Sequence, residues 1–208
     1  PFNPRGIYCR RSGPGKDTAG VGVGKLAIVL AMQKGTQIPA ITEARTGYLL
    51  SLQWNPVARA NYLTTVGACG MVSYRLQGAS VSFFGPRMAT RLGNFAQALM
   101  MACTGLAKST AGIYASLLPG LPFAAEGAVE TALSAHADLV GIGQGKLNAD
   151  LSNMIALMKS IMPVLYARLL GWGLSNGVPG LSFLFTAGCY LVAEAVLCTV
   201  RDIHKLLL

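Results

Sequence analysis

The feature that most constrains the fold is a long stretch without charge near the end of the chain. No charged side chain occurs between Arg168 and Glu194, a run of 25 residues. Only 12% of the 208 residues are charged and 52% are hydrophobic, whereas soluble domains carry about 25% charged residues. Too little polar surface remains to cover a soluble protein of this size, and such stretches are typical of lipid-facing helices. The composition therefore predicts a membrane protein.

Apolar stretches and chain breakers divide the sequence into two parts. Residues 1–56 form a basic arm containing Gly and Pro, in which 25–34 is predicted to be a short surface helix because it is too short to span a bilayer. Residues 57–208 are predicted to form the membrane domain. The expected fold class is an all-α, polytopic integral membrane bundle with about four to five membrane helices. The helical segments are 57–84, 87–118, 123–143, 152–175 and 180–206, with a loop at 141–153 and a tight turn at 175–180.

The net charge of +9 is concentrated in the first part of the chain. Only two acids, Asp17 and Glu43, precede residue 126. A basic arm beside so much apolar sequence is expected to meet anionic lipid headgroups or an acidic partner subunit rather than nucleic acid. Five cysteines without CxxC spacing and two histidines favour neither a disulfide framework nor a metal site. No cofactor is predicted.

Small residues recur in the predicted helix 57–84. In a membrane, small side chains allow a neighbouring helix to approach closely, so this segment is expected to pack against another helix. A GxxxG spacing at Gly173 and Gly177 likewise predicts the close approach of another helix. The small residues of 57–84 are Gly67, Ala68, Gly70, Gly78 and Ala79.

Two charges within the apolar segments are candidates for a function. An arginine or glutamate inside a membrane span is costly and usually faces a partner or a water-filled path. Arg91 lies near the start of its segment, so its side chain could also extend to the interface. Glu194 lies in the middle of a helix and is too short to do so. A buried carboxyl near a membrane arginine is found in proton relays, and equally in structural ion pairs between helices. Arg168 is the alternative membrane charge.

The most polar helical segment is 123–143. It carries Glu126, Glu130, His136 and Asp138. Glu126 and Glu130 lie one helical turn apart and share a face. The segment is therefore predicted either to be amphipathic or to line a wet cavity.

Arg91 and Glu194 lie in segments that resemble subunit a of the rotary ATP synthases. The stretch "MATRLGNFAQAL" is similar to that family's "RLFGN"-like motif with one residue missing. The stretch "LVAEAVLCTVRDIHKLLL" is similar to its last helix, with Glu194 where the family usually has Gln. Because only a helical hairpin separates the two positions in that family, the resemblance implies an insertion that contains residues 123–165.

The resemblance implies a proton-conducting role. Arg91 would face the carboxyls of the rotating c-ring and keep two proton half-channels apart, since a guanidinium stays protonated. Protons would pass along Glu194, Glu126, Glu130, His136 and Asp138. The expected partners are the c-ring, other membrane subunits and lipids. The expected location is the mitochondrial inner membrane, because spans of modest hydrophobicity, diluted by Gly, Ser and Thr, suit an imported protein.

Two other functions remain open from the sequence. The first is a non-catalytic structural or assembly subunit of a mitochondrial membrane complex, in which the charges dock neighbours or lipids. The second is an enzyme, because "YARLLGWGLSNGVPG" is similar to the arginine-bearing third helix of the membrane glutathione and eicosanoid enzymes. No nucleophile with a paired base is visible in the sequence, so no catalytic residue is predicted.

Overall fold

The computed structural model describes residues 15–39, 45–121 and 126–200, and every regular element in these ranges is a helix. The all-α prediction is therefore confirmed. Residues 1–14 and 40–44 of the predicted basic arm lie outside the described residues, and so does the end of the last predicted helix, 201–206. The elements are α1 (Gly15–Pro39), α2 (Arg45–Ser51), α3 (Pro56–Phe84), α4 (Pro86–Leu106), α5 (Thr110–Ala115), a 3-10 turn (Leu118–Gly120), α6 (Glu126–Val140), α7 (Gln144–Ser175) and α8 (Leu181–Cys198).

Helix α8 lies at the centre of the bundle and packs against α4, α1 and α7. Its first half buries Phe183 and Ala187 in a cluster with side chains from α2, α3, α4 and α5. Its second half buries Ala193 and Leu197 against α1 and α6. The apolar stretch that dominates the sequence therefore forms the core helix of the fold.

Helix α1 is longer and more buried than the sequence predicted. Val23, Leu26 and Leu30 recur at helical spacing and are buried against α6 and α8. The prediction of a short surface helix at 25–34 is therefore wrong. A count of apolar residues underestimates the length of this helix because Gln33 and Thr36 are also buried. Gln33 Nε2 donates to Asn94 Oδ1, and Thr36 Oγ1 donates to a backbone carbonyl of its own helix.

Local sequence signals set the boundaries of α3 and α4. Asn55 caps α3 by accepting a hydrogen bond from the backbone N–H of Ala58 at 2.7 Å. Gly85 separates the two helices with a φ of +75°, which glycine adopts without strain, and Pro86 starts α4. The helix predicted at 57–84 is confirmed. The segment 87–118 is not one continuous helix, because α4 ends at Leu106 and the chain continues after a break as the short α5.

Helix α7 begins earlier than predicted. The sequence 141–153 was expected to be a loop, whereas α7 starts at Gln144 and runs to Ser175. Its first turns are anchored by Leu147 and Leu151, which pack on the α1–α6–α8 core. The tight turn at 175–180 is confirmed, since Gly177 has a φ of +73° and Val178 N donates to Gly173 O at 2.7 Å.

Helices α4 and α8 approach most closely where two glycines meet. A Cβ atom built on Gly180 would overlap the backbone carbonyl of Gly105, and one built on Gly105 would overlap the carbonyl oxygen of Gly180. Backbone-to-backbone contact of this kind requires that neither residue carry a side chain. The contact fixes the start of α8 against the end of α4.

Two helices in the described residues, α7 and α8, are long and apolar enough to cross a membrane. They differ in how they use their apolar surface, because 44% of the most apolar stretch of α8 is buried in the bundle but only 11% of that of α7. The exposed apolar side chains of α7 include Leu157, Ile161, Val164, Trp172 and Leu174.

Candidate functional site

The structure brings together the two charges that the sequence singled out. Arg91 Nε on α4 lies 2.7 Å from Glu194 Oε1 on α8, although 103 residues separate them in sequence. The Glu194 side chain is 5% exposed and that of Arg91 is 43% exposed. The pair therefore consists of a buried carboxylate and a guanidinium at the surface of the bundle.

Polar neighbours complete the environment of Glu194. Asn94 Nδ2 donates to Glu194 Oε2 at 2.9 Å, and Cys198 Sγ lies 3.4 Å from Oε1. Asn94 Oδ1 in turn accepts from Gln33 Nε2 at 2.6 Å, which extends the network to α1. Both carboxylate oxygens thus have donors, which offsets the cost of burying the charge. We call Gln33, Arg91, Asn94 and Glu194 the polar network.

Sequence reasoning missed Asn94, Gln33 and Cys198. A signal for Asn94 was present, because it lies three residues after Arg91 and therefore on the same face of α4. Cys198 lies four residues after Glu194 and shares its face of α8 in the same way. No local signal pointed to Gln33, which reaches the site only through the packing of α1.

A cavity of about 270 Å³ lies one helical turn from the polar network, between α3 and the rest of the bundle. Gln97 follows Asn94 by three residues on α4, and Tyr190 precedes Glu194 by four on α8; both line this cavity. The buried Oε1 of Gln97 and the buried hydroxyl of Tyr190 have no hydrogen-bond partner in the part of the chain that the structure describes. The polar surface of the cavity therefore continues the polar network along α4 and α8.

Glu126 and Glu130 also line the cavity. Glu130 Oε2 accepts from Lys34 Nζ at 3.0 Å in an ion pair near the surface. Burial raises the pKa of the Glu126 carboxyl, while the nearby Lys34 opposes this change. The interpretation that segment 123–143 lines a cavity is thus consistent with the position of these two residues.

The remaining candidates do not contact the polar network or line the cavity in the described residues. His136 is buried against Gly22 of α1, with Nδ1 2.9 Å from Ala132 O. Gly22 precedes Gln33 by eleven residues, or about 16 Å along the helix. Asp138 is exposed and accepts from Gln144 Nε2 at 2.7 Å. Arg168 is exposed on α7.

The donor sets in the described residues offer no metal centre, since no three His, Cys, Asp or Glu side chains converge there. The arrangement can hold a carboxylate next to a permanently charged guanidinium and can order polar groups along two helices. No protein-family model, curated protein or solved structure matches this chain.

Proposed function

We propose that this protein is a non-catalytic membrane subunit of a larger energy-transducing complex in the mitochondrial inner membrane. The exposed apolar surface of α7 supports a membrane environment, because so little of that helix is used to form the core. The modest hydrophobicity of the helices and their Gly, Ser and Thr content fit an imported protein. In this proposal α3 and α4 also lie in the membrane with α7 and α8.

The observation that carries the proposal is the exposure of α3. This helix has 29 residues, which corresponds to about 43 Å, yet Tyr62 is its only buried residue. Gly67 and Gly78 are exposed, and no neighbouring atom of the described residues lies within 4 Å of a Cβ built on either. The close helix neighbour predicted from these small residues is therefore not supplied by the described chain. The exposed apolar residues of α3 include Met71, Val72, Tyr74, Leu76, Phe83 and Phe84.

Arg75 indicates which kind of side chain the missing neighbouring helix carries. It is exposed on α3, nine residues or about 13 Å from the end of the helix. No ion pair joins it to an acid in the described residues. An arginine at this depth in a membrane is stabilised by a carboxylate or by polar headgroups. We therefore expect α3 to pack against a helix of another subunit that carries an acidic residue.

A bulky residue on α3 is expected to block this assembly. G78L should leave the subunit folded, because no neighbouring atom of the described residues occupies the space, but should shift it on native gels from the complex to the free-subunit position. G24L is the matched control, since Gly24 is also exposed within a helix and its added Cβ has no neighbouring atom within 4 Å among the described residues. If G78L and G24L both migrate with the complex, α3 is not the docking helix.

In this proposal the Arg91–Glu194 pair joins α4 to α8. A subunit a arginine acts on carboxyls of a separate rotating ring, whereas Arg91 already has a carboxylate of its own chain at 2.7 Å. A ring carboxylate would have to compete with Glu194 for the guanidinium. The satisfied bonding of both Glu194 oxygens therefore favours a structural ion pair over a proton path.

Proton conduction by a subunit a-like protein is the second candidate. The position of Arg91, Asn94 and Glu194 one helical turn from the cavity that Glu126 lines favours it, because polar groups that follow one another along a bundle can pass protons. R91Q is then expected to abolish respiration-driven ATP synthesis, while R168Q, at an exposed position, should retain it. Equal synthesis in the two variants would exclude this role for Arg91.

A further inference from the structure

Arg45 is a buried cation without a counterion among the described residues. It is 1% exposed, and its Nε and Nη1 atoms have no hydrogen-bond partner in residues 15–39, 45–121 and 126–200. The ring of Tyr62, whose centroid lies 5.4 Å from Arg45 Cζ, is the aromatic face against which the guanidinium packs. Burial lowers the pKa of Arg45 from its usual value, but an arginine remains charged at physiological pH. A cation in this position needs an anion.

The guanidinium belongs to the lining of the same 270 Å³ cavity. Two further groups of that lining, Gln97 Oε1 and the Tyr190 hydroxyl, are buried and without partners. Unpaired polar atoms from α2, α4 and α8 therefore converge on one space. Such convergence of polar groups within a concave site is typical of a ligand pocket.

The unpaired guanidinium in the lining favours a ligand with a single negative charge. Lys34 is already paired with Glu130, so that pair contributes no net charge. Glu126 adds negative charge at the α6 side, which disfavours a doubly charged phosphate. Arg45 is the cation of this lining that has no ion pair with an acid in the described residues, and its fork of N–H donors matches the two oxygens of a carboxylate.

The rest of the lining selects a ligand with an apolar body. Val66, Met100, Leu117 and Leu121 contribute apolar surface. An apolar cavity of about 150 Å³ holds one benzene molecule. A cavity of about 270 Å³ therefore accommodates roughly a dozen non-hydrogen atoms on the same scale.

We propose that this cavity binds an amphipathic monocarboxylate of about the size of decanoate, with the carboxylate on Arg45 and the alkyl chain against the apolar lining. The Tyr190 hydroxyl supplies a further donor to the cavity. Neither Arg91 nor Glu194 lines this cavity, so the binding site does not depend on that ion pair.

Thermal unfolding of the full chain in lipid nanodiscs tests the proposal. Wild-type protein is expected to gain roughly 5–10 °C in Tm when decanoate is present at about 100 times its Kd. Decanol, which has the same chain without the charge, and inorganic phosphate, which has charge without the chain, should each leave Tm unchanged. R45M is expected to have a Tm at or above that of the unliganded wild type, because it removes an unpaired buried charge, and to show no response to decanoate. R45K, which keeps the charge but loses the two-pronged geometry, should show a smaller rise.

Several outcomes would overturn the proposal. Equal rises with decanol and decanoate would show partition without a carboxylate site. A rise with phosphate but not decanoate would show that the cavity takes a free oxyanion. Absence of a decanoate response in the wild type, combined with a response in E43Q, would identify Glu43 as the counterion of Arg45. Absence of a response in both proteins, or an R45M response equal to that of the wild type, would equally exclude the site.

Discussion

Replacing Arg91 with leucine is expected to lower the free energy of unfolding by about 2–4 kcal/mol, because Glu194 then remains buried without its counterion. Removal of one member of a fully buried ion pair costs about 3–5 kcal/mol. The side chain of Arg91 is 43% exposed, so water already screens part of the interaction and the expected loss is smaller. Asn94 and Cys198 still bond the carboxylate, which limits the loss further.

The double variant R91L/E194L separates the contribution of the ion pair to the free energy of unfolding from the cost of leaving one buried charge unpaired. It is expected to recover most of the stability lost in R91L, because the buried charge itself is gone. Denaturant unfolding in a mild detergent measures the free energies of the wild type, both single variants and the double variant. K34L is the control, since Lys34–Glu130 is an exposed pair and should be worth less than about 1 kcal/mol. Two results would contradict this interpretation of the pair. One is an R91L variant that is as stable as K34L, and the other is a double variant that is as unstable as R91L.

The second large effect is expected at the contact between α4 and α8. G180A should destabilise the protein by about 3 kcal/mol or more, because its Cβ would overlap the backbone of Gly105. Overpacking a core with flexible side chains costs about 1–3 kcal/mol, and here the obstacle is backbone that cannot rotate away. The φ of Gly180 is −82°, which any residue adopts, so the effect would be purely steric.

G188A is the matched control on the same helix. In the part of the chain that the structure describes, no neighbouring atom lies within 4 Å of a Cβ built on Gly188, and alanine is favoured over glycine inside a helix by about 1 kcal/mol. The free energy of unfolding of G188A should therefore equal or exceed that of the wild type in the same detergent. Similar losses in G180A and G188A would show that α8 does not approach Gly105 as described.

The helix boundaries that the sequence predicts well are those marked by glycine and proline residues. The boundary between α3 and α4 follows from Gly85-Pro86, and the turn after α7 follows from its Gly and Pro residues. The start of α7 was missed because its N-cap residue, Gly143, has no side chain to mark it. Burial of Leu147 against other helices stabilises those first turns, and that packing is not encoded in the local sequence.

The polar network and the cavity differ in how far sequence could predict them. Arg91 and Glu194 stand out because each is a charge within an apolar segment. The sequence left open whether they belong to a proton relay or form a structural ion pair. Arg45 gave no such signal, since it lies in a segment of mixed polarity. Its burial results from the packing of other elements around it, among them α3, whose Tyr62 ring faces the guanidinium.

The central claim is that Arg91 and Glu194 hold helices together in a membrane subunit and do not conduct protons. The most direct test replaces the only copy of the protein in cells with R91L/E194L and measures both native-gel migration and respiration-driven ATP synthesis in isolated mitochondria. We expect the variant to migrate with its complex and synthesis to continue at close to the wild-type rate. Normal assembly with loss of proton-driven synthesis would contradict the claim and identify the pair as part of a proton path.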